Sequence, residues 1–415
     1  MPICDDVVVV GGGLAGLMAA LAAAESGAQV RLISHKKSTL RQASGLVDVL
    51  GAVDGDAPIA DPFAAVDRLP EDHPYRIVGV DGIREGLRRF DDVVGDRYAG
   101  SHTDRNALVV THGGTVKPTA RYPVSVAPGL ASAAADTLLV GFRGLTDFDA
   151  ADHLAAAGVP FDVDGATVEF PIRFRDDART TRLAKALDTD QDNVRDQLAE
   201  AVAAELDGHG RVGFPAMLGD DNGPEVRAFL ADRLGADVFQ IPTGPPSLLG
   251  MQLEDRLIDA SERAEVRLST GNPAVGYETE DGELTAVTVD RRGQAVPYNA
   301  DEFVLATGGL VGKGIDSDRE SVTEPVFDCH VPHPEDRYEW SEADAFGDHE
   351  FARFGVVPDD DLRPTGADGD VRFPNLRAAG GVVGGADVAA EKSAAGVSIA
   401  TGTYAGRRAG EETVQ

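Results

Sequence analysis

The run Val7-Val8-Val9-Val10 and the turn after it constrain this chain more than any other stretch. Four β-branched residues in a row predict a strand buried on both faces, the habit of a parallel sheet. Gly11, Gly12 and Gly13 follow, then Leu14, Ala15 and Gly16, and the apolar Ala-rich run from Leu17 to Ala24 reads as a helix. In the spacing Gly11-x-Gly13-x-x-Gly16, the first glycine permits the tight turn. The second lets the backbone approach a pyrophosphate, and the third lets the helix pack closely on the strand. A phosphate would lie on the free N–H groups of the helix start, where the dipole favours an anion. Strand, glycines and helix in this order point to a nucleotide cofactor.

The chain has 415 residues, enough for more than one domain. Its 70 acidic and 38 basic residues give a net charge of −32, which argues against nucleic acid or an anionic membrane surface as a direct partner. Lysine is scarce: Lys36, Lys37, Lys117, Lys185, Lys313 and Lys392 complete the set. An acidic, lysine-poor, Ala- and Gly-rich chain fits a salt-rich cytoplasm. Its melting temperature is therefore expected to rise from dilute buffer to molar salt, as the Debye length falls from about 30 Å to about 3 Å and self-repulsion is screened. No rise would remove the halophilic reading. Cys4 and Cys329 are too few for an iron–sulfur cluster or a disulfide framework. No metal site, signal peptide or apolar run near the ~20 residues of a bilayer span is expected, so the chain reads as cytoplasmic.

Along the chain, Gln29 to Ile33 reads as the second parallel strand. Dinucleotide folds often place Asp or Glu at its end to hold a ribose. Here the chain reads Ser34-His35-Lys36-Lys37-Ser38-Thr39, which argues against an NAD-dependent dehydrogenase. Ser34 and Lys36, with Ser44 and Gly45 in the loop beyond, suit a flavin's phosphate and ring edge. Residues 51–260 read as a smaller inserted α/β domain, with strands over Thr137–Phe142, Arg211–Leu218 and Asp237–Pro242. Helices are predicted over Asp149–Ala157 and Asn193–Leu206, and another from an N-cap at Ser247, after Thr243-Gly244-Pro245-Pro246. Residues 1–50 and 261–415 form the cofactor domain. In it, Glu265–Leu268 rejoins the main sheet, and Ala274–Tyr277 pairs with Leu284–Val289 around Asp281-Gly282. The strand from Phe303 ends in Thr307-Gly308-Gly309; Gly380-Gly381 follows another short strand, Leu376–Ala379, and Gly396 and Val397 lie at the start of the last helix. These glycines allow close approach to a cofactor, and that helix start would face the electron-rich edge of an isoalloxazine. The fold expected is α/β: a Rossmann-like, two-dinucleotide-binding, fumarate-reductase-like flavin domain with an insertion.

Specific segments carry a family resemblance over nearly the whole chain. They are Val10 to Leu17, Ala43-Ser44-Gly45-Leu46-Val47-Asp48-Val49-Leu50, Gly144-Leu145-Thr146-Asp147-Phe148, and Pro242 to Gly250. Phe354-Gly355-Val356, Leu362-Arg363-Pro364 and Val383-Gly384-Gly385-Ala386-Asp387 complete the set. With these the chain resembles the B subunits of anaerobic glycerol-3-phosphate dehydrogenase, in a haloarchaeal form. The resemblance implies a flavoprotein in a three-subunit complex that oxidises sn-glycerol 3-phosphate to dihydroxyacetone phosphate and feeds electrons to a membrane quinone. Fumarate or nitrate is the usual terminal acceptor. The partners implied are a second flavoprotein subunit of the A type and an iron–sulfur subunit of the C type, through which this chain reaches the cytoplasmic membrane.

The resemblance assigns FMN; the glycine motif leaves FAD as the alternative. Ser38 to Gly45 contains no His of the kind that tethers flavin in fumarate-reductase-type relatives, so a non-covalent flavin is expected. His112, His330, His333 and Arg121 are candidate bases or phosphate ligands by type, but no spacing converges them and no catalytic residue is assigned. Two rival readings are a self-sufficient soluble FAD oxidoreductase of the succinate or aspartate oxidase type, and a non-catalytic assembly subunit.

Overall fold

A computed structural model describes residues 3–414 apart from 56–57, 134, 146–147, 149–162, 174–178 and 346. The chain forms two compact units. The first comprises Met1–Thr39, Asp48–Val94 and Asp255–Gln415; the second comprises Leu40–Val47 and Gly95–Glu254.

In the first unit the valine run is β1 (Val7–Val10), followed by α1 (Leu14–Glu25), β2 (Val30–Ser34) and α2 (Pro74–Val94). Next come β3 (Arg267–Thr270), β4 (Ala274–Glu280), β5 (Glu283–Arg291), β6 (Gln294–Asn299) and β7 (Glu302–Leu305). The unit closes with β8 (Leu376–Ala378) and α3 (Ala394–Thr413). A parallel sheet runs in the order β3-β2-β1-β7-β8, with Val7 opposite both Val30 and Glu302. β1 lies at its centre, so all four valines are buried, each contributing roughly 1.5–3 kcal/mol. Val8 and Val10 pack with Leu284, Val287 and Val289 of the antiparallel β4-β5-β6 layer. The alternate face meets helices.

α1 and α3 approach unusually closely, because glycines recur on α3 every fourth residue. A Cβ on Gly402 would lie 2.3 Å from the Ala15 carbonyl oxygen; on Gly406, 2.0 Å from that of Ala19; on Gly410, 2.9 Å from that of Ala23. At the sheet's far end, fully buried Arg377 bridges Glu302 and Glu412, each at 2.5 Å. This ties β7 and β8 to the end of α3. Burial pushes the Glu302 carboxyl up to about 7 against the opposing pull of Arg377.

The fold class is the α/β arrangement expected, and the details differ in places. The strand expected at Glu265–Leu268 runs from Arg267 to Thr270, because Glu265 takes φ 60° in the turn after the preceding helix. Residues 51–94, read as part of the insertion, belong to the first unit, because α2 packs on α3: a Cβ on Gly86 would lie 3.1 Å from Ile399 and Ala400. The hairpin turn at Asp281-Gly282 has φ 51° and 91°, the left-handed pair that a two-residue turn requires.

The second unit carries a parallel sheet in the order Asp237–Ile241, Arg211–Pro215, Thr137–Phe142, Val163–Val168. The strand expected through Leu218 ends at Pro215, and the Leu218 N–H instead donates to the Gln240 side chain at 2.7 Å. Helices span Thr180–Thr189, Val194–Ala203 and Gly223–Leu234. The helix predicted over Asp149–Ala157 lies outside the described residues. The helix expected at Ser247 spans Leu248–Arg263, with the Ser247 hydroxyl accepting from the Gly250 N–H at 3.4 Å.

Candidate cofactor site

The strand-end turns of the first unit surround a cavity of about 250 Å³. Gly11, Gly12 and Gly13 close one wall, Ile33 to Thr39 a second, and Ala306, Thr307 and Gly308 a third. Each glycine of the first turn answers to a different neighbour. Gly11 has φ 124°, and a Cβ there would sit 2.1 Å from the Ala306 carbonyl oxygen. A Cβ on Gly16 would fall 1.8 Å from the Gly11 carbonyl oxygen, and one on Gly12 2.7 Å from Ser34 Oγ.

Gly13 differs. It has ordinary extended backbone, φ −80°, and a Cβ there would meet no protein atom within 4 Å. No protein atom requires glycine at this position, which leaves its backbone open toward the cavity. Gly13 is also the N-cap of α1 without a side-chain cap bond, and its carbonyl accepts the first helical bond, from the Leu17 N–H at 3.0 Å. The N–H groups of Leu14, Ala15 and Gly16 precede that bond, and α1 has no acidic residue in its first turn. This is an anion cradle, and it fits the phosphate end of a flavin nucleotide.

The β2 end is equally adapted. Ser34 donates its hydroxyl to the Lys36 carbonyl at 2.9 Å, turning Lys36 and Lys37 onto the cavity rim. The Ser34 carbonyl accepts from the Gly271 N–H at 2.8 Å, which brings Pro273 and Ala274 into the wall. Opposite, buried Glu324 accepts from the N–H groups of Val326 and Phe327, both at 2.8 Å, and so fixes Pro325 and Val326 as the remaining apolar wall. Burial raises the Glu324 carboxyl above its ordinary range, with those N–H groups pulling the other way. Thr307 Oγ1, on the third wall, is buried without a hydrogen-bond partner.

Among the residues expected to hold a cofactor, Gly11, Gly12, Gly13, Ser34, Lys36, Thr307 and Gly308 line this cavity. Leu14, Ala15 and Gly16 form the helix start behind it. Gly309 and Gly381 pack on each other: a Cβ on Gly309 would lie 2.7 Å from the Gly381 carbonyl oxygen. Gly380 abuts Ala15 instead, and its N–H donates to Thr401 at 2.8 Å. Gly396 is spent on packing, because a Cβ there would lie 2.1 Å from the Tyr75 hydroxyl; Val397 is buried in α3. Ser44 and Gly45 belong to the second unit, where a Cβ on Gly45 would strike Leu249 at 2.7 Å. Sequence reasoning missed Pro273, Ala274, Pro325 and Val326, which follow no motif, and Lys313, whose signal was the scarcity of lysine.

None of the residues considered for catalysis lines this cavity. Arg121 donates to the carbonyls of Gly100 and Ala120, and His333 is held by the Val331 carbonyl and edge-on to Trp340. His112 and His330 are exposed. Cys4 is exposed and Cys329 buried, no metal-ligand group occurs among the described residues, and no helix there is long and apolar enough to cross a membrane.

Comparison with known proteins gives the chain's family. Residues 6–397 match the FAD binding domain family. The chain is 56% identical over 423 residues to the B subunit of the probable anaerobic glycerol-3-phosphate dehydrogenase of Halobacterium salinarum, covering 99% of both chains. The chain belongs to that B-subunit family, within the FAD binding domain family. It is 30% identical over 409 residues to the B subunit of the anaerobic glycerol-3-phosphate dehydrogenase of Pectobacterium atrosepticum, covering 95% of this chain and 96% of that one. Among solved structures, the open conformation of a flavocytochrome c3 fumarate reductase aligns over 100% of this chain and 79% of that one, with TM-score 0.47 and 11% identity. By family the chain is a flavoprotein oxidoreductase.

Proposed function

We propose that this chain binds FAD non-covalently in the glycine-walled cavity and serves as the flavoprotein B subunit of an anaerobic glycerol-3-phosphate:quinone oxidoreductase. The observation carrying the cofactor assignment is the void at Gly13, which keeps a bare backbone beside the open start of α1. In this reading Gly11 to Gly13 and the first N–H groups of α1 hold the phosphates, and Lys36 neutralises them. Apolar Pro273, Ala274, Pro325 and Val326 cover what lies beyond. A cavity that runs from an anion cradle to an apolar wall at the β2 end suits the adenosine diphosphate half of FAD better than the single phosphate of FMN. Bound flavin supplies hydride acceptance and release of electrons one at a time.

The residues of this chain supply binding and orientation. The titratable groups described along the cavity are His35, Lys36, Lys37 and Lys313; none is assigned as the substrate's base, and sn-glycerol 3-phosphate oxidation is assigned to an A-type partner. Onward transfer toward quinone goes to an iron–sulfur partner of the C type. Both relatives are B subunits by name and match over nearly their full length, which supports the assembly. An absorbance spectrum of the purified chain followed by mass analysis of the released cofactor tests the assignment. A yellow protein releasing FAD on heat or acid is expected. FMN would revise the adenosine reading, flavin retained on the peptide would refute non-covalent binding, and a colourless stable protein would favour a non-catalytic role.

A further inference from the structure

The chain's lysines are not scattered. Of Lys36, Lys37, Lys117, Lys185, Lys313 and Lys392, half face one cavity: Lys36, Lys37 and Lys313. They come from two segments far apart in sequence, the end of β2 and the loop after β7. No acidic side chain lines that cavity. The contrast with the other end of the same unit is plain, where a second cavity is lined by Asp5, Asp6, Glu280, Asp281, Glu283 and Asp301. Among the described residues these three form no ion pair, which is equally true of Lys185 and Lys392; what sets the three apart is that they line one cavity.

The loop that carries Lys313 is built to hold it there. Gly308 takes φ 86°, and the Lys313 and Gly314 N–H groups bond back to the carbonyls of Leu310 and Gly309 at 3.3 and 3.2 Å. Lys313 itself takes φ 64° between Gly312 and Gly314, a left-handed conformation that glycine would adopt without strain.

We propose that Lys313 is a specificity-determining residue, completing with Lys36 and Lys37 a three-ammonium clamp on the cofactor's phosphates. The clamp selects phosphorylated flavins over riboflavin. It rests on the reading of this cavity as the FAD site. Its physical need follows from the surface charge: a dianionic cofactor approaching a strongly acidic protein meets repulsion everywhere except where cations are concentrated. A charged hydrogen bond donor lost from a phosphate weakens binding by about tenfold or more, whereas a group acting only on the fold affects every flavin alike.

The test is titration of apo-protein, in fixed molar salt, with FAD, FMN and riboflavin, followed by flavin fluorescence. Lys313→Gln is expected to weaken FAD by about tenfold, to weaken FMN, and to leave riboflavin unchanged. Lys313→Arg should restore most of the loss. Lys185→Gln, which removes the same charge from an exposed position outside the cavity, should leave FAD affinity as in the natural chain. Equal weakening of all three ligands, or no change with FAD, would overturn the clamp. Failure of the unsubstituted chain to bind any flavin would instead overturn the cofactor site itself.

Discussion

Gly13→Asp is expected to yield a folded protein without flavin. The position tolerates a side chain as far as the protein is concerned, since its φ is −80° and no protein atom lies within 4 Å of the added Cβ. A carboxylate there would point into the space assigned to the phosphates. Two like charges about 4 Å apart in a medium of effective dielectric near 20 repel by about 4 kcal/mol, roughly a thousandfold in affinity. Circular dichroism and melting temperature should match the parent, while absorbance near the flavin bands vanishes. The neighbouring glycines should behave in the opposite sense. Gly11→Ala and Gly16→Ala would place a Cβ 2.1 and 1.8 Å from backbone oxygens, so both should lower stability by about 1–3 kcal/mol or more before any effect on cofactor is read. Full flavin occupancy in Gly13→Asp would exclude this cavity as the phosphate site.

The second large effect concerns partners. Among the described residues there is no metal-ligand group and no helix long and apolar enough to cross a membrane. If the chain works as one member of a complex, then expressed alone it should show glycerol-3-phosphate oxidation near background with a quinone analogue. Co-expression with an A-type flavoprotein and a cysteine-rich C-type partner should bring the activity up and move the chain to the membrane fraction. Full quinone-linked turnover by the isolated chain would refute that reading and favour a self-contained oxidase.

Much of the site was legible because its signals are local. Val7 to Gly16 spell strand, turn and helix with no tertiary information, and Asp281-Gly282 marks its own hairpin. What could not be read is what depends on convergence. Pro273 and Ala274 reach the cavity only because Gly271 bonds the end of β2, and Pro325 and Val326 only because Glu324 anchors their loop. Glycine misled in the opposite direction. Gly308 and Gly396 look alike in sequence, yet Gly308 lines the cavity while Gly396 makes room for the Tyr75 hydroxyl. A missing side chain does not say whether a ligand or a neighbour takes its place. The boundary near residue 50 failed for a similar reason: nothing in Pro74 to Val94 announces that its partner is α3.

The glycine ladder of α3 has a consequence for how the protein is made. Gly402, Gly406 and Gly410 receive the carbonyl side of α1 across almost the whole length of the chain. During synthesis the first turn and its helix emerge early, but the surface that α1 is shaped to meet emerges only with the last helix. Contacts so distant in sequence form late. Docking of α1 on α3 is therefore completed only once the last helix is made, and a ribosome-stalled chain ending before α3 should expose the small-residue face of α1 to chaperones.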